Sequence, residues 1–206
     1  MIEDSELRRE LASQARRQLR TRMRALRAAH PEAALELRSA RIRAYLEALP
    51  EFKSAQGVAL FWPLTSEVDL RPLDVTARSL GKRVYYPFLE PGPERSLTGF
   101  ARVDDISTLA PRGQRFFEPQ AGSPHASRGE IDLVVVPALA VSTTGHRLGY
   151  GSGFYDATLP DFIPPAQAVV VAYDFQLLAE LPTLHHDVAC HVVVTDARTL
   201  RVPSSA

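Results

Sequence analysis

Ile131-Asp-Leu-Val-Val-Val136 is the most strand-like run in the chain, and what surrounds it decides the fold. Four apolar β-branched or γ-branched residues in succession, with no polar alternation, describe a strand buried on both faces. A loop to Gly153 follows, then a short helix to about residue 159 and a second valine run at 168–172. Strand, helix, strand in that order is a βαβ unit, whose two strands lie parallel. Working outward, residues 58–62 form another short apolar run ending at Pro63. A helical stretch at 69–80 ends at Gly81, suited to a C-cap, and a strand at 83–86 stops before Pro87. This is a second βαβ unit. A last strand is expected at 191–195.

The first quarter of the chain differs. Leu7, Leu11, Ala15, Leu19, Met23 and Leu26 recur three or four apart, which predicts a helix over 5–29 with these residues on one face and arginines on the rest. His30-Pro31 ends it, and a second helix is expected over 31–49. Residues 88–128 are rich in Pro, Gly, Ser and charge. They read as irregular cover with one short strand near 97–102, and the tail 203–206 reads as frayed. The fold class is therefore α/β. The expectation is a three-layer sandwich over 1–206 as one domain, with a mainly parallel sheet, helices on both faces, and an N-terminal helical segment to about residue 50 ahead of the α/β part at 55–200.

Composition narrows the function classes. A hydrophobic fraction of 45% and a charged fraction of 23% belong to an ordinary globular protein and exclude a disordered or fibrous chain. The most apolar run, around 134–141, is far too short to span a bilayer, so no membrane role is expected. Cys190 is alone, which fits a reducing compartment, and the first residues carry no apolar signal region, so a cytoplasmic location is expected. Net charge is zero, yet eight arginines crowd residues 8–27. They could form a solvated helix face, bind phosphate, or hold a polyanion such as nucleic acid.

Ligands of parallel sheets sit beyond the carboxyl ends of the strands. Two unusual segments fall there: Trp62 to Glu67 after the first strand, and Arg147-Leu-Gly-Tyr-Gly-Ser-Gly-Phe-Tyr-Asp156 after the 131–136 strand. Alternating Gly149, Gly151 and Gly153 before a helix allow backbone amides to face an anion, with the helix dipole behind them. Arg147 adds a forked donor for phosphate, and Asp156 a hard oxygen for magnesium. The pattern is neither a P-loop nor a dinucleotide fingerprint. His185-His186-Asp187 offers metal-ligand chemistry but no third cluster, and Cys190 has no base partner.

The ten-residue segment resembles the signature of the 5-formyltetrahydrofolate cyclo-ligase family, also called methenyltetrahydrofolate synthetase. Other segments resemble family landmarks in the same order: Arg16-Arg-Gln-Leu-Arg20, Phe61-Trp-Pro-Leu-Thr-Ser-Glu-Val-Asp69, Gly81-Lys-Arg-Val84, Phe117-Glu-Pro119, Asp132-Leu-Val-Val-Val-Pro137 and His186-Asp187. The resemblance implies an enzyme that uses MgATP to turn 5-formyltetrahydrofolate into 5,10-methenyltetrahydrofolate, releasing ADP and phosphate. It implies that Arg16, Arg20, Arg147 and the loop Leu148, Gly149, Tyr150, Gly151, Ser152, Gly153, Phe154 and Tyr155 bind the nucleotide. Trp62, Glu67, Tyr150, Gly151, Ser152, Gly153 and Phe154 would contact the folate. Arg147, Tyr150 and Tyr155 would serve at the reacting centre, and Asp156 and Asp187 would hold Mg2+. The expected partners are these two substrates, with no nucleic acid or membrane, and the expected state is a monomer. Three positions depart from the family pattern. Arg16 stands where Lys is usual, Phe154 replaces the first of two paired tyrosines, and Ser152 stands where some members have Lys or Gly. A binding relative without catalysis is the alternative reading.

Overall fold

The computed structural model describes residues 2–92, 96–112 and 116–203. The described residues form a seven-stranded sheet. Its centre is parallel: β1 (Gly57–Ala59) lies between β2 (Arg83–Glu90) and β6 (Leu133–Pro137), and β9 (Gln167–Val171) and β11 (Val192–Val194) continue from β6. Both edges are antiparallel, formed by β3 (Leu97–Arg102) on β2 and β12 (Thr199–Arg201) on β11. Strand residues alternate between the faces. Val58, Val84, Val135 and Val169 enter one core, and Ala59, Tyr85, Val134 and Val170 the other.

Helices α2 (Glu32–Ala48), α3 (Pro50–Ser54) and α4 (Arg71–Ser79) cover the first face through Leu35, Ile42, Leu46, Phe52 and Leu73. The opposite face is covered by α5 (Phe154–Thr158) and the 3-10 turn Leu159–Asp161, with Leu159 and Phe162 in its core. The α/β sandwich expected from the valine runs is thus what forms. The β1–α4–β2 unit closes as predicted: Gly81, at φ 73°, lets its N–H bond Arg78 O at 2.9 Å and the Lys82 N–H bond Ala77 O at 3.0 Å. A residue with a Cβ would be strained in that left-handed turn.

The structure corrects three expectations. Strand β1 ends at Ala59 rather than residue 62. The Leu60 N–H still bonds Tyr85 O at 2.9 Å, and the chain then leaves the sheet, which frees residues 61–67 to build a wall. Second, 88–128 is more ordered than irregular cover. Strand β2 runs on through Pro87 to Glu90, paired with β3, and β4 (Ala110–Arg112) and β5 (Phe116–Glu118) make a small hairpin. Of the tail, Pro203 is exposed, and 204–206 lie outside the described residues.

The third correction concerns α1 (Ile2–Ala28). Its expected apolar face is buried only in part: Met23 is buried and Leu19 packs beside it against Leu139, Ala140 and Leu148, whereas Leu11 is 55% and Leu26 38% exposed and Arg16 and Arg27 are buried in their place. Most of the helix lies over the site, so polar groups on the site attract its arginines inward. A second small sheet supports it from below, in the order β10-β7-β8, from β7 (Ala140–Ser142), β8 (Arg147–Leu148) and β10 (Leu177–Leu178).

Candidate active site

Three segments far apart in sequence surround one cavity of about 520 Å³: the inner face of α1, residues 61–67 after β1, and residues 147–156 after β6. Strands β1 and β6 are neighbours, so their exits bring the two loops together at the carboxyl edge. The volume is that of a small-molecule site, for which roughly 300–1,000 Å³ is usual.

The glycine loop is built on β8, where alternation sends consecutive side chains apart. Leu148 turns down into a cluster with Met23, Leu139 and Ala140, so its side chain is core and not a cavity wall. Arg147 turns the other way. Its Nη2 donates to Asp156 Oδ1 at 2.8 Å and its Nη1 to Val188 O at 2.6 Å, and it lines the cavity. Gly151 and Gly153 have φ 113° and 72°, which L side chains rarely adopt, whereas Gly149 has no such need. The loop's carbonyls are also occupied, since Gly149 O accepts from Arg20 Nε at 2.9 Å. Helix α5 is only five residues long, so its dipole adds less to anion binding than the sequence reading assumed.

Helix α1 supplies cations. Arg16, Arg17 and Arg20 line the cavity, and burial together with the neighbouring Arg16 and Arg24 lowers the pKa of Arg20. Arg16 forms a forked ion pair with Asp187 and also donates to Pro182 O at 3.1 Å. Burial works against the Asp187 carboxylate, but the Arg16 fork and the Leu184 N–H outweigh it and hold its pKa below the usual range.

The 61–67 loop supplies an aromatic slot and a buried acid. Trp62 stacks on Phe117 at 4.8 Å between ring centroids, and the Arg71 guanidinium carbon lies 5.8 Å from the centre of the Trp62 ring. Glu67 is 8% exposed and its Oε2 accepts from the Leu64 N–H at 2.8 Å. Burial pushes its pKa up, while the Leu64 amide and Arg27 pull the other way. Tyr150 faces it from the glycine loop, its hydroxyl pushed up to about 12 by burial and by Glu67. The half-buried Tyr155 ring lies beside Arg147, its hydroxyl pKa raised by desolvation. Phe154 and Ser152 also line the cavity, and Phe154 packs edge-on against Tyr155 at 5.0 Å.

All the expected residues except Leu148 and Asp187 line this cavity. Sequence reasoning missed Arg27, Phe88 and Leu89. Phe117 and Glu118 were visible as a motif, but their place in the wall was not. Among the described residues, no group of three or more His, Cys, Asp or Glu is arranged to hold a metal ion. Asp156 nonetheless suits a magnesium carried in on phosphate: one oxygen is held by Arg147 and Val188 N–H, and its side chain keeps 20% exposure toward the cavity. Magnesium typically takes only one or two carboxylates in such sites. Asp187, with its side chain 4% exposed, is committed to Arg16.

Comparison with known proteins identifies the family and the fold. A model of the 5-formyltetrahydrofolate cyclo-ligase family matches residues 12–196. A 5-formyltetrahydrofolate cyclo-ligase of Mycolicibacterium smegmatis is 35% identical over 191 residues, covering 91% of this chain and 97% of the relative. One from Escherichia coli K12 is 32% identical over 151 residues, covering 72% and 82%. The solution structure of Aquifex aeolicus 5,10-methenyltetrahydrofolate synthetase superposes with a TM-score of 0.80 at 29% identity, covering 93% of this chain and 94% of that one.

Proposed function

The chain belongs to the 5-formyltetrahydrofolate cyclo-ligase family, and from that premise we propose that it catalyses the ATP-dependent cyclisation of 5-formyltetrahydrofolate to 5,10-methenyltetrahydrofolate. One observation carries the proposal: a cationic helix face, an aromatic slot with a buried acid, and a glycine loop all border one cavity. A nucleotide and a folate need these separate chemistries side by side.

The formyl oxygen is a poor leaving group. In the proposed reaction it attacks the γ-phosphorus and ADP departs. The second folate nitrogen then attacks the formyl carbon and gives up its proton to the departing phosphate or to solvent, and phosphate leaves with the former formyl oxygen. Phosphoryl transfer asks the protein chiefly to position reactants and stabilise charge. Arg20 and Arg147 border the cavity as cations for phosphate oxygens, and Arg16 would join them when phosphate competes with Asp187. The Gly149 to Phe154 loop would hold the transferred group against the formyl oxygen, with Tyr150 and Tyr155 excluding water around it. Trp62 would stack on the pterin and Glu67 would accept from its N–H donors. Asp156 would hold magnesium, with Asp187 as a second carboxylate after release from Arg16; the ion would offset charge on the phosphoryl oxygens. We read the protein as a monomer of the cytoplasm, a compartment that the lone free thiol Cys190 suits.

The test is direct: purified protein is mixed with 5-formyltetrahydrofolate and MgATP, and the near-ultraviolet absorbance of the methenyl product is followed. Product should accumulate only with both substrates present. A flat trace from folded protein would sink the proposal.

A further inference from the structure

Arg27 has no part in the roles assigned so far, yet its side chain is only 5% exposed. We propose that Arg27 is a positioning residue that keeps Glu67 ionised and turned toward the folate while fixing the Tyr150 hydroxyl beside it. This rests on the cyclo-ligase reading of the site.

The guanidinium fork reaches two loops at once. Nε donates to Ser66 Oγ at 3.2 Å, Nη2 donates to the Tyr150 hydroxyl, and Nη1 stands 3.9 Å from Glu67 Oε1. That oxygen is buried and accepts no hydrogen bond from the described residues. The recess that Arg27 and Glu67 share with Phe61, Pro137 and Val171 has no room for a water molecule. The Tyr150 hydroxyl that Arg27 holds faces the same carboxylate, and Glu67 also borders the main cavity, where a ligand donor would complete its acceptors. Buried acceptors without donors are costly, so one retained here fits a group completed by substrate. The turn that aims Glu67 passes through Ser66 at φ 63°, the one non-glycine positive φ among the described residues. Such backbone persists only where surrounding contacts hold it, and Arg27 supplies one.

A carboxylate in this recess without a nearby cation would take up a proton and lose acceptor capacity. The charged and titratable groups facing Glu67 are Arg27 from α1, Tyr150 from the glycine loop, Tyr155 from α5 and Tyr173 after β9. The Tyr150 hydroxyl is pushed up to about 12, and burial raises the other two, so none changes charge in the working range. Arg27 is the cation left to hold Glu67 ionised. Lysine would keep the charge but not the fork that ties Ser66 and Tyr150 together.

The test is steady-state kinetics of the full chain from about pH 5.5 to 8.5, with KM measured separately for folate and ATP. Arg27→Gln should raise the folate KM about tenfold or more at the acid end of the range, because loss of the cation favours the protonated carboxyl there. The penalty should shrink as pH rises and the carboxylate re-forms, with the ATP KM unchanged within about twofold. Arg27→Lys should restore the pH profile but only part of the affinity. A folate KM that is unchanged in Arg27→Gln, or raised by the same factor at every pH, overturns the proposal. Should Arg27→Gln not fold, Arg27→Lys decides: its folate KM should rise while its pH profile keeps the wild-type shape, and a folate KM equal to the wild type's overturns the proposal. A wild type without turnover would instead remove the cyclo-ligase reading, and this inference with it.

Discussion

Helices α1 and α2 turn residues inward at the same spacing, Arg16, Arg20, Met23 and Arg27 on one and Leu35, Ser39, Ile42 and Leu46 on the other. What they meet differs. Helix α2 rests on the valine face of the sheet, and its one inward polar group, Ser39, bonds the Tyr173 hydroxyl at 3.1 Å and the Asp69 N–H at 3.2 Å. Helix α1 rests on loop carbonyls, carboxylates and a phenol. A helix can therefore be amphipathic with its polar stripe inward, when the surface it covers is a site and not a core. Free energy from apolar burial fixes α2, whereas α1 has only a small apolar anchor, Met23 and Leu19 against Leu139, Ala140 and Leu148, and relies for the rest on charge pairing that ligands can disturb.

Substitutions can break this contrast, beginning with the largest effect. Ile42→Ala, at a position with no exposure, should cost roughly 2–5 kcal/mol of unfolding free energy, while KM for both substrates stays put in the fraction that folds. Denaturant titration beside kinetics would check it, and a change in KM without lost stability would place α2 in the site. Asp156→Ala should cut kcat by about 10²–10³-fold through lost phosphate and metal stabilisation, with a far smaller effect on the melting temperature. An active Asp156→Ala enzyme would remove the metal role. Arg20→Gln should raise the ATP KM about tenfold, near the loss of one charge-assisted hydrogen bond, and leave stability nearly intact. Equal loss of affinity for both substrates would mean that α1 only holds the loops in shape. Leu26→Gln, on the outer face of α1, should change stability by less than about 0.5 kcal/mol and leave rates alone. A large loss there would show that the leucine stripe has a partner.

The same contrast explains what the sequence made legible. Valine-rich runs at 133–136, 168–171 and 192–194 read directly as buried parallel strands, because strands covered on both faces favour three or four apolar residues in a row. Strands β7, β8, β10 and β12, at two or three residues each, carry no periodic signal, and tertiary pairing alone defines them. The face of α1 could not be read from spacing, since leucines and arginines both recur three and four apart and only the tertiary partner chooses between them. Within the site, Arg147 to Asp156 and Trp62 to Glu67 stood out by composition and placement. Arg27 did not, being one arginine among eight, and neither did the pairing of Asp187 with Arg16, which is set by a contact 171 residues apart.

What distinguishes a coupled two-substrate site from a binding relative or a loose phosphatase is stoichiometry. Methenyl product and released phosphate should be measured in the same sample, with each substrate omitted in turn. Equal amounts of the two, and neither without both substrates, are expected. Phosphate released without folate, or folded protein that binds both substrates and forms no methenyl product, would contradict it.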